Sequence, residues 1–215
     1  MSRLDGSEPR AVCSRCRRAQ VVCYCRHLTS IPTRTRIVFL QHTRERSVAI
    51  GTARMASLCL PNSELHVGVH WVGTHALARA FDDPERPPAL LFPGDEAIDI
   101  VREPPPGPIT LVVVDGTWRQ VKKVVRLNPP LAALPRYAFV PPAPSEYRIR
   151  HEPKDTYVST IEALVHVLGV LEGDPARFTA LLAPFRAMID AQLEYVARAP
   201  NFRRRPVPAQ GKPRS

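Results

Sequence analysis

Four cysteines within 13 residues form the densest group of potential ligands in the sequence. They are spaced as C-x2-C and then C-x-C, at Cys13, Cys16, Cys23 and Cys25. Four thiolates at this spacing suit tetrahedral Zn2+, and because the protein fills all four positions we expect a structural ion. Two disulfides or an iron–sulfur cluster are the alternatives. The N-terminus lacks the apolar segment of a signal peptide, which favours reduced thiols and therefore zinc.

A carboxylate stands at the end of the most apolar run in the sequence. Asp115 follows the run 109–114 and precedes Gly116. It could cap the helix predicted to follow, or it could act as a general base or orient a substrate. Thr117 could cap the same helix instead, which would leave Asp115 for chemistry. Trp118 comes next and is either a core residue or a stacking surface for a base.

Polar or turn-forming residues follow two other apolar runs. His42 and Glu45 come after the run 37–40, and each is either an ordinary polar residue or a contact to a nucleoside. The turn 92–94, Phe92-Pro93-Gly94, would let a ligand approach the backbone closely.

A basic stripe is predicted on the helix after Asp115. Arg119, Lys122, Lys123 and Arg126 recur at i, i+3, i+4 and i+7, so they share one helix face. Such a face is either simply solvated or a contact for phosphates. The absence of an acidic residue on the stripe favours phosphates.

The elements that must position these residues alternate between short apolar strands and helices. Strands are predicted at 37–40, 65–69, 89–92, 109–114 and 137–140, and helices at 52–60, 74–81, 118–127, 160–171 and 175–197. This order predicts an α/β fold with a mostly parallel sheet and flanking helices. Ligands bind such folds beyond the carboxyl ends of the strands. We therefore expect the loops 41–54, 92–96 and 115–119 to form one site. No GxGxxG or Walker A motif is present, which argues against a Rossmann dinucleotide site or a P-loop.

The charge of the chain indicates a polyanionic partner. The 215 residues carry 30 Lys+Arg and 20 Asp+Glu, for a net charge of +10. Residues 1–36, 119–154 and 198–215 each carry +6, and the remainder is acidic. Three basic clusters on an acidic body favour nucleic acid as partner. No apolar run approaches the ~20 residues of a membrane span, so we expect a cytoplasmic protein with no membrane contact, and nothing indicates an obligate protein partner.

Several short motifs, taken in order, resemble the DTW-domain family, which includes tRNA-uridine aminocarboxypropyltransferases. They are the N-terminal cysteine pattern, His42-x-x-Glu45, Gly51-Thr52-Ala53-Arg54, Phe92-Pro93-Gly94, Asp115-Gly116-Thr117-Trp118, Tyr147-Arg148-Ile149-Arg150 and Ser159-Thr160-x-Glu162-Ala163. The resemblance covers roughly residues 11–197. Gly51 departs from the pattern, which has Asn there, and this puts a side-chain contact at that position in question.

The resemblance implies a reaction, a fold and roles for residues. The reaction transfers the 3-amino-3-carboxypropyl group of S-adenosyl-L-methionine to N3 of a tRNA uridine and releases methylthioadenosine. The fold would be related to the SPOUT methyltransferases, with a C-terminal knot that binds the cofactor. The implied catalytic residues are Asp115, Trp118 and Thr117. The implied cofactor contacts are Phe92, Pro93, Gly94, Arg54, Arg148, Ser159, Thr160 and Glu162. The implied RNA contacts are His42, Glu45, Arg119, Lys122, Lys123 and Arg126.

The predicted organisation has four parts. Residues 1–10 are expected to be disordered, 11–35 to form the zinc-knuckle-like segment, 36–199 the catalytic domain, and 200–215 a disordered basic tail. Two alternatives stay open. One is a SPOUT-type RNA methyltransferase that uses the same cofactor, and the other is a non-enzymatic RNA-binding protein with a zinc knuckle. A ribosomal RNA substrate is also compatible with the charge pattern.

Overall fold

A single parallel sheet organises the chain. The computed structural model describes residues 11–47, 51–147 and 158–198. Within them the strands are β1 Arg36–His42, β2 Ser63–Gly68, β3 Pro88–Leu91, β4 Ile98–Asp99, β5 Thr110–Asp115 and β6 Arg136–Ala138. Their order across the sheet is β2-β1-β5-β3-β6-β4, and every neighbouring pair is parallel. The predicted α/β fold is confirmed; the two-residue strand β4 was not predicted.

Helices cover both faces of the sheet. They are α1 Thr52–Cys59, α2 His75–Phe81, α3 Trp118–Leu127, α4 Pro129–Ala132, α5 Thr160–Glu172, α6 Pro175–Phe178 and α7 Leu182–Arg198. Thr74 caps α2, because its hydroxyl accepts the Leu77 N–H at 3.4 Å. Asn128 ends α3 as predicted, and Pro129 then opens the short helix α4, since proline is well suited to the first helical position.

The prediction of one continuous helix over 175–197 is wrong. Helix α6 ends at Phe178, a 3-10 turn spans Thr179–Leu181, and α7 begins at Leu182. Pro184 supplies the physical reason. It has no N–H to donate into a helix continuing from α6, so it is tolerated only within the first turn of a new helix.

The core consists of two buried clusters, one on each side of the sheet. Residues alternate along β1, so that Ile37 and Phe39 belong to one cluster while Val38 and Leu40 belong to the other. The first cluster includes residues of α1, α5 and α7 together with Cys16 and Tyr24 of the cysteine segment. The second includes residues of α2, α3 and α4. The central strands are therefore buried on both faces, as their continuous apolar runs predicted.

Several expectations fall outside the described residues. The segments 1–10 and 200–215 lie there, so the four-part division of the chain stays a prediction. The implied knot also stays a prediction. None of the helices in the described ranges combines the length and apolar character that crossing a membrane requires.

Candidate active site and metal centre

A cavity of about 670 Å³ opens at the carboxyl ends of the strands. The three loops that the sequence predicted all contribute to its wall. Glu45, Gly51 and Thr52 come from the loop 41–54, Phe92 and Pro93 come from the loop 92–96, and all five residues of 115–119 line the cavity. Two further segments complete it: 138–141 after β6 and 158–160 at the start of α5. The volume lies in the range of small-molecule sites, and a mostly apolar wall with a few polar groups is typical of them.

Asp115 is fixed at the floor of this cavity by hydrogen bonds to both carboxylate oxygens. The Gln41 side-chain amide donates to Oδ2 at 2.9 Å, and the Thr160 hydroxyl donates to Oδ1 at 2.8 Å. Gln41 is 4% exposed and Asp115 is 8% exposed. A buried carboxylate with two donors has a fixed orientation, which a group that contacts a reacting atom requires.

Thr117 leaves Asp115 out of helix capping, as the sequence suggested. Thr117 is the N-cap of α3 and forms a capping box, in which its own N–H donates to Gln120 Oε1 at 2.7 Å. A methyl group added at Gly116 would lie 2.9 Å from that Oε1. Only glycine therefore lets the chain turn from β5 into α3 at this point without disturbing the cap.

Three helix N-termini face the cavity. They belong to α1, through Gly51 and Thr52, to α3, through 116–119, and to α5, through 158–160. Gly51 caps α1 without a side-chain hydrogen bond. The first N–H groups of a helix carry a partial positive charge, so this arrangement favours an anionic group such as a ligand carboxylate.

An aromatic pair forms one wall of the cavity. The rings of Phe92 and Trp118 lie 6.3 Å apart at 55° to one another, and both side chains line the cavity. The Arg136 guanidinium lies 5.9 Å from the centre of the Phe92 ring. Trp118 is half-buried, so it packs on the core and also presents a flat apolar surface on which a base can stack.

Other predicted site residues have protein partners away from the cavity. His42 is buried, and its Nδ1 accepts the Arg44 N–H at 3.2 Å. The carboxylate of Glu162 accepts the Ser145 hydroxyl and the N–H groups of Glu146 and Ser159, all within 2.8 Å. Glu162 thus forms a capping box with Ser159 and ties the 145–147 segment to α5. Ser159 still lines the cavity; His42, Gly94 and Glu162 do not.

The basic residues divide between the cavity and the surface. Arg119 lines the cavity, and Lys122, Lys123 and Arg126 are exposed on the same face of α3, as the spacing predicted. Arg54 points to the cysteine segment, where its Nη2 donates to the Arg15 carbonyl at 2.9 Å. Arg148 lies outside the described residues.

Sequence reasoning missed Gln41. It stands at the end of β1, and its register partner in β5 is Asp115. A polar residue ending an apolar run was a visible signal. The strand order that brings it beside Asp115 was not.

The four clustered cysteines have the geometry of a metal site. Their Sγ atoms all lie within 4.8 Å of one another. The Cys13–Cys25 and Cys16–Cys23 pairs are separated by 3.7 and 3.6 Å, and no disulfide joins them. Tetrahedral Zn2+ with Zn–S bonds of ~2.3 Å would separate its sulfurs by ~3.8 Å. The residues present therefore fit zinc.

The backbone around these cysteines favours metal binding. Arg17 adopts a left-handed conformation, with φ of 60°, and its N–H donates to the Cys13 carbonyl at 2.8 Å. The backbone N–H groups of Cys16 and Arg15 lower the pKa of the Cys13 thiol to about 6. Burial raises the pKa of Cys16. Burial likewise raises the pKa of Cys25, to about 12. A bound cation must therefore displace protons from Cys16 and Cys25, so metal binding by this cluster releases protons.

Fold and site together define a class: a parallel α/β protein with a ligand cavity at the strand carboxyl ends and a separate four-cysteine metal site. The sequence model of the DTW domain family matches residues 10–193 of this chain. The chain therefore belongs to the DTW domain family.

Curated relatives carry an enzyme name. The chain is 32% identical over 198 residues to tRNA-uridine aminocarboxypropyltransferase 2 of Drosophila melanogaster, covering 88% of this chain and 78% of the relative. It is 29% identical to the Macaca fascicularis protein of the same name, and the match covers 90% of this chain and 67% of the relative. It is 26% identical to tRNA-uridine aminocarboxypropyltransferase A of Arabidopsis thaliana, and that match covers 89% of this chain and 84% of the relative. No solved structure matches the chain. The resemblance read from the motifs is confirmed.

Proposed function

We propose that this protein transfers the 3-amino-3-carboxypropyl group of S-adenosylmethionine to N3 of a uridine in tRNA, in the cytoplasm. The observation that carries the proposal is the Asp115 carboxylate, which Gln41 and Thr160 hold at the floor of a cavity of ligand size. The family and the names of its curated relatives support the choice of reaction.

The reaction exchanges one bond for another. The bond between the sulfonium sulfur and the γ-carbon of the amino acid breaks, and its electron pair stays on sulfur in methylthioadenosine. The uridine N3 bonds to that carbon and loses its proton. The sulfonium supplies the activation of the carbon, so the protein's main contribution is the alignment of N3 with it.

Asp115 is the residue that we assign to the N3–H. Gln41 and Thr160 hold the orientation of the carboxylate. In this role Asp115 accepts the N3–H and takes the proton as N3 bonds to carbon.

The remaining cavity residues bind the donor molecule. The N–H groups at the starts of α1 and α5 suit its amino-acid carboxylate. Phe92 and Pro93 of the turn 92–94 would lie against the adenosine, and Trp118 offers a flat surface to the adenine or to the target uracil. Thr117 holds Trp118 in place by capping α3.

The basic face of α3 would bind the tRNA backbone. Arg119 reaches the cavity, and Lys122, Lys123 and Arg126 continue outward on the exposed side of the helix. A phosphate track that leads to the cavity would place the target nucleotide near Asp115. The cysteine cluster would hold structural zinc, because four protein ligands leave no open position.

The test is nucleoside mass spectrometry of tRNA incubated with the purified protein and S-adenosylmethionine. We expect a uridine heavier by about 101 Da, against about 14 Da for a methyl group, and a loss of product with Asp115→Asn. Asp82→Asn is the matched control, because Asp82 is exposed and belongs to none of the segments that line the cavity. A methylated product would overturn the proposal in favour of a methyltransferase. Donor binding with no modified nucleoside from any RNA would overturn transferase activity altogether.

A further inference from the structure

Arg54 connects the cysteine cluster to the wall of the cavity. It lies in the first turn of α1, two residues after Thr52, which lines the cavity. Its guanidinium reaches the opposite way and donates from Nη2 to the carbonyl of Arg15 at 2.9 Å. Arg15 lies inside the C-x2-C turn, between Cys13 and Cys16. One side chain thus joins the turn that carries two cysteines to the helix that shapes the ligand site.

A second arginine shares this buried region. Arg18 is 8% exposed. Its Nη1 and the Nε of Arg54 are buried, and among the described residues neither atom has a hydrogen-bond partner. Cys16, two residues before Arg18, is buried in the same cluster as Ala53, the residue before Arg54. The two arginines therefore border one buried region.

Charge balance gives these cations a role. Four thiolates and one Zn2+ sum to −2, and a dianion placed against the core requires nearby positive charge. Arg18 and Arg54 supply two such charges, and Cys16 and Tyr24 pack in the same buried cluster as Ala53 of α1. When metal is bound, both the negative charge of the cluster and the hydrogen bond to the Arg15 carbonyl therefore keep the Arg54 side chain in place.

We propose that Arg54 is a positioning residue that couples metal occupancy of the cysteine cluster to the shape of the ligand cavity. Metal holds the C-x2-C turn, the Arg15 carbonyl holds Arg54, and Arg54 holds the first turn of α1 against the cavity. Loss of metal loosens the first turn of α1 and weakens the binding of every ligand of the cavity by a similar factor. The ligand-binding part rests on the proposed function; the link between the cluster and α1 does not.

The test compares Arg54→Met and Arg54→Lys with wild type, using the full zinc-loaded chain. Three quantities are measured: zinc release to a chromogenic chelator, hydrogen exchange of the α1 amides, and affinity for two probes. S-adenosylmethionine carries the amino-acid carboxylate and methylthioadenosine lacks it. Arg86→Met is the matched control, because Arg86 also has a buried Nε without a hydrogen-bond partner among the described residues and lies far along the chain.

If Arg54 couples the cysteine cluster to the cavity, Arg54→Met should weaken zinc retention, the protection of the α1 amides and probe binding together. Loss of a direct hydrogen-bond partner of a metal ligand costs about 10- to 100-fold in metal affinity. Arg54 acts one step further away, through the Arg15 carbonyl, so Arg54→Met should release zinc faster by up to about tenfold. Its α1 amides should exchange faster, and both probes should weaken by a similar factor. Arg54→Lys should recover part of each loss, because lysine can still donate to the Arg15 carbonyl.

Two results would overturn the proposal. Unchanged zinc release and unchanged α1 exchange in Arg54→Met would remove the link to the cluster. Weaker binding of S-adenosylmethionine alone, with methylthioadenosine unaffected, would make Arg54 a direct ligand of the carboxylate. If wild type binds neither probe, the proposed function fails, while zinc release and α1 exchange still decide whether Arg54 couples the cluster to α1.

Discussion

Replacing Gln41 by methionine removes a hydrogen bond that helps to fix the Asp115 carboxylate. Methionine has nearly the volume of glutamine and suits a site that is 4% exposed, so the packing is kept. A hydrogen bond to a charged group contributes about 1.5–3 kcal/mol. If that energy is needed to orient Asp115 in the transition state, the rate should fall by about 10- to 150-fold.

The assay is the single-turnover rate of uridine modification at saturating tRNA and S-adenosylmethionine. Thr160→Val removes a second donor and should cause a similar loss. The double variant should lose less than the sum of the two, because both donors hold one carboxylate. Thr110→Val is the control: it lies on the same strand as Asp115, and its buried hydroxyl has no partner among the described residues.

A wild-type rate in a folded Gln41→Met variant would refute this reasoning. It would mean that the orientation of Asp115 does not limit the reaction. A fall in the rate of the Thr110→Val control would also count against it, since general loosening of β5 would then explain the losses.

Three further predictions address stability, RNA binding and the cavity turn. Burial acts to raise the pKa of Glu172, but hydrogen bonds from Thr35 and Arg34 outweigh it and lower the pKa below 4.5. The ionised Glu172 carboxylate therefore stabilises the fold fully above pH 4.5, and this contribution is lost as the pH falls through the lower pKa that Glu172 has in the folded protein. Glu172→Gln should lower Tm at pH 7, and in thermal melts its Tm should fall less steeply with decreasing pH than that of wild type. Lys122→Ala with Lys123→Ala should reduce the salt dependence of tRNA binding by about one slope unit per lysine, and the exposed Arg102→Ala should leave it unchanged. Gly94→Ala should leave Tm unchanged, because nothing lies within 4 Å of an added methyl; since Gly94 does not line the cavity, it should also leave S-adenosylmethionine binding unchanged in calorimetry, whereas Phe92→Ala, which removes part of the cavity wall, should weaken it.

Local signals were enough to locate the site along the chain. Every residue of the run 109–114 is buried, and the run ends at Asp115. A continuous apolar segment followed by a carboxylate was therefore enough to predict both the strand and its polar end. The caps at Thr117 and Ser159 were also readable, because a capping residue and its partner lie within one helical turn.

Long-range pairing was not readable in the same way. Gln41 and Asp115 are 74 residues apart, and only the sheet order makes them neighbours. Arg54 was expected at the ligand because its motif lies near the site, yet its side chain turns to the cysteine segment packed on the same face of the sheet. Which way a long side chain points depends on the layer behind it, and the sequence does not show that layer.

The topology explains why two polar side chains are buried together at this point. From β1 the chain leads through α1 to β2 on one side, and from β5 it leads through α3 to β6 on the other, so the connections that leave these two paired strands diverge and open a cleft at their ends. A buried hydrogen-bonded polar pair adds little net stability, and apolar residues of similar shape can replace both partners at small cost. We therefore expect Gln41→Met, Asp115→Leu and Thr160→Val combined, which replace the carboxylate together with the two donors named above, to keep or raise Tm while abolishing turnover. A large fall in Tm would instead assign the pair to the fold rather than to the chemistry.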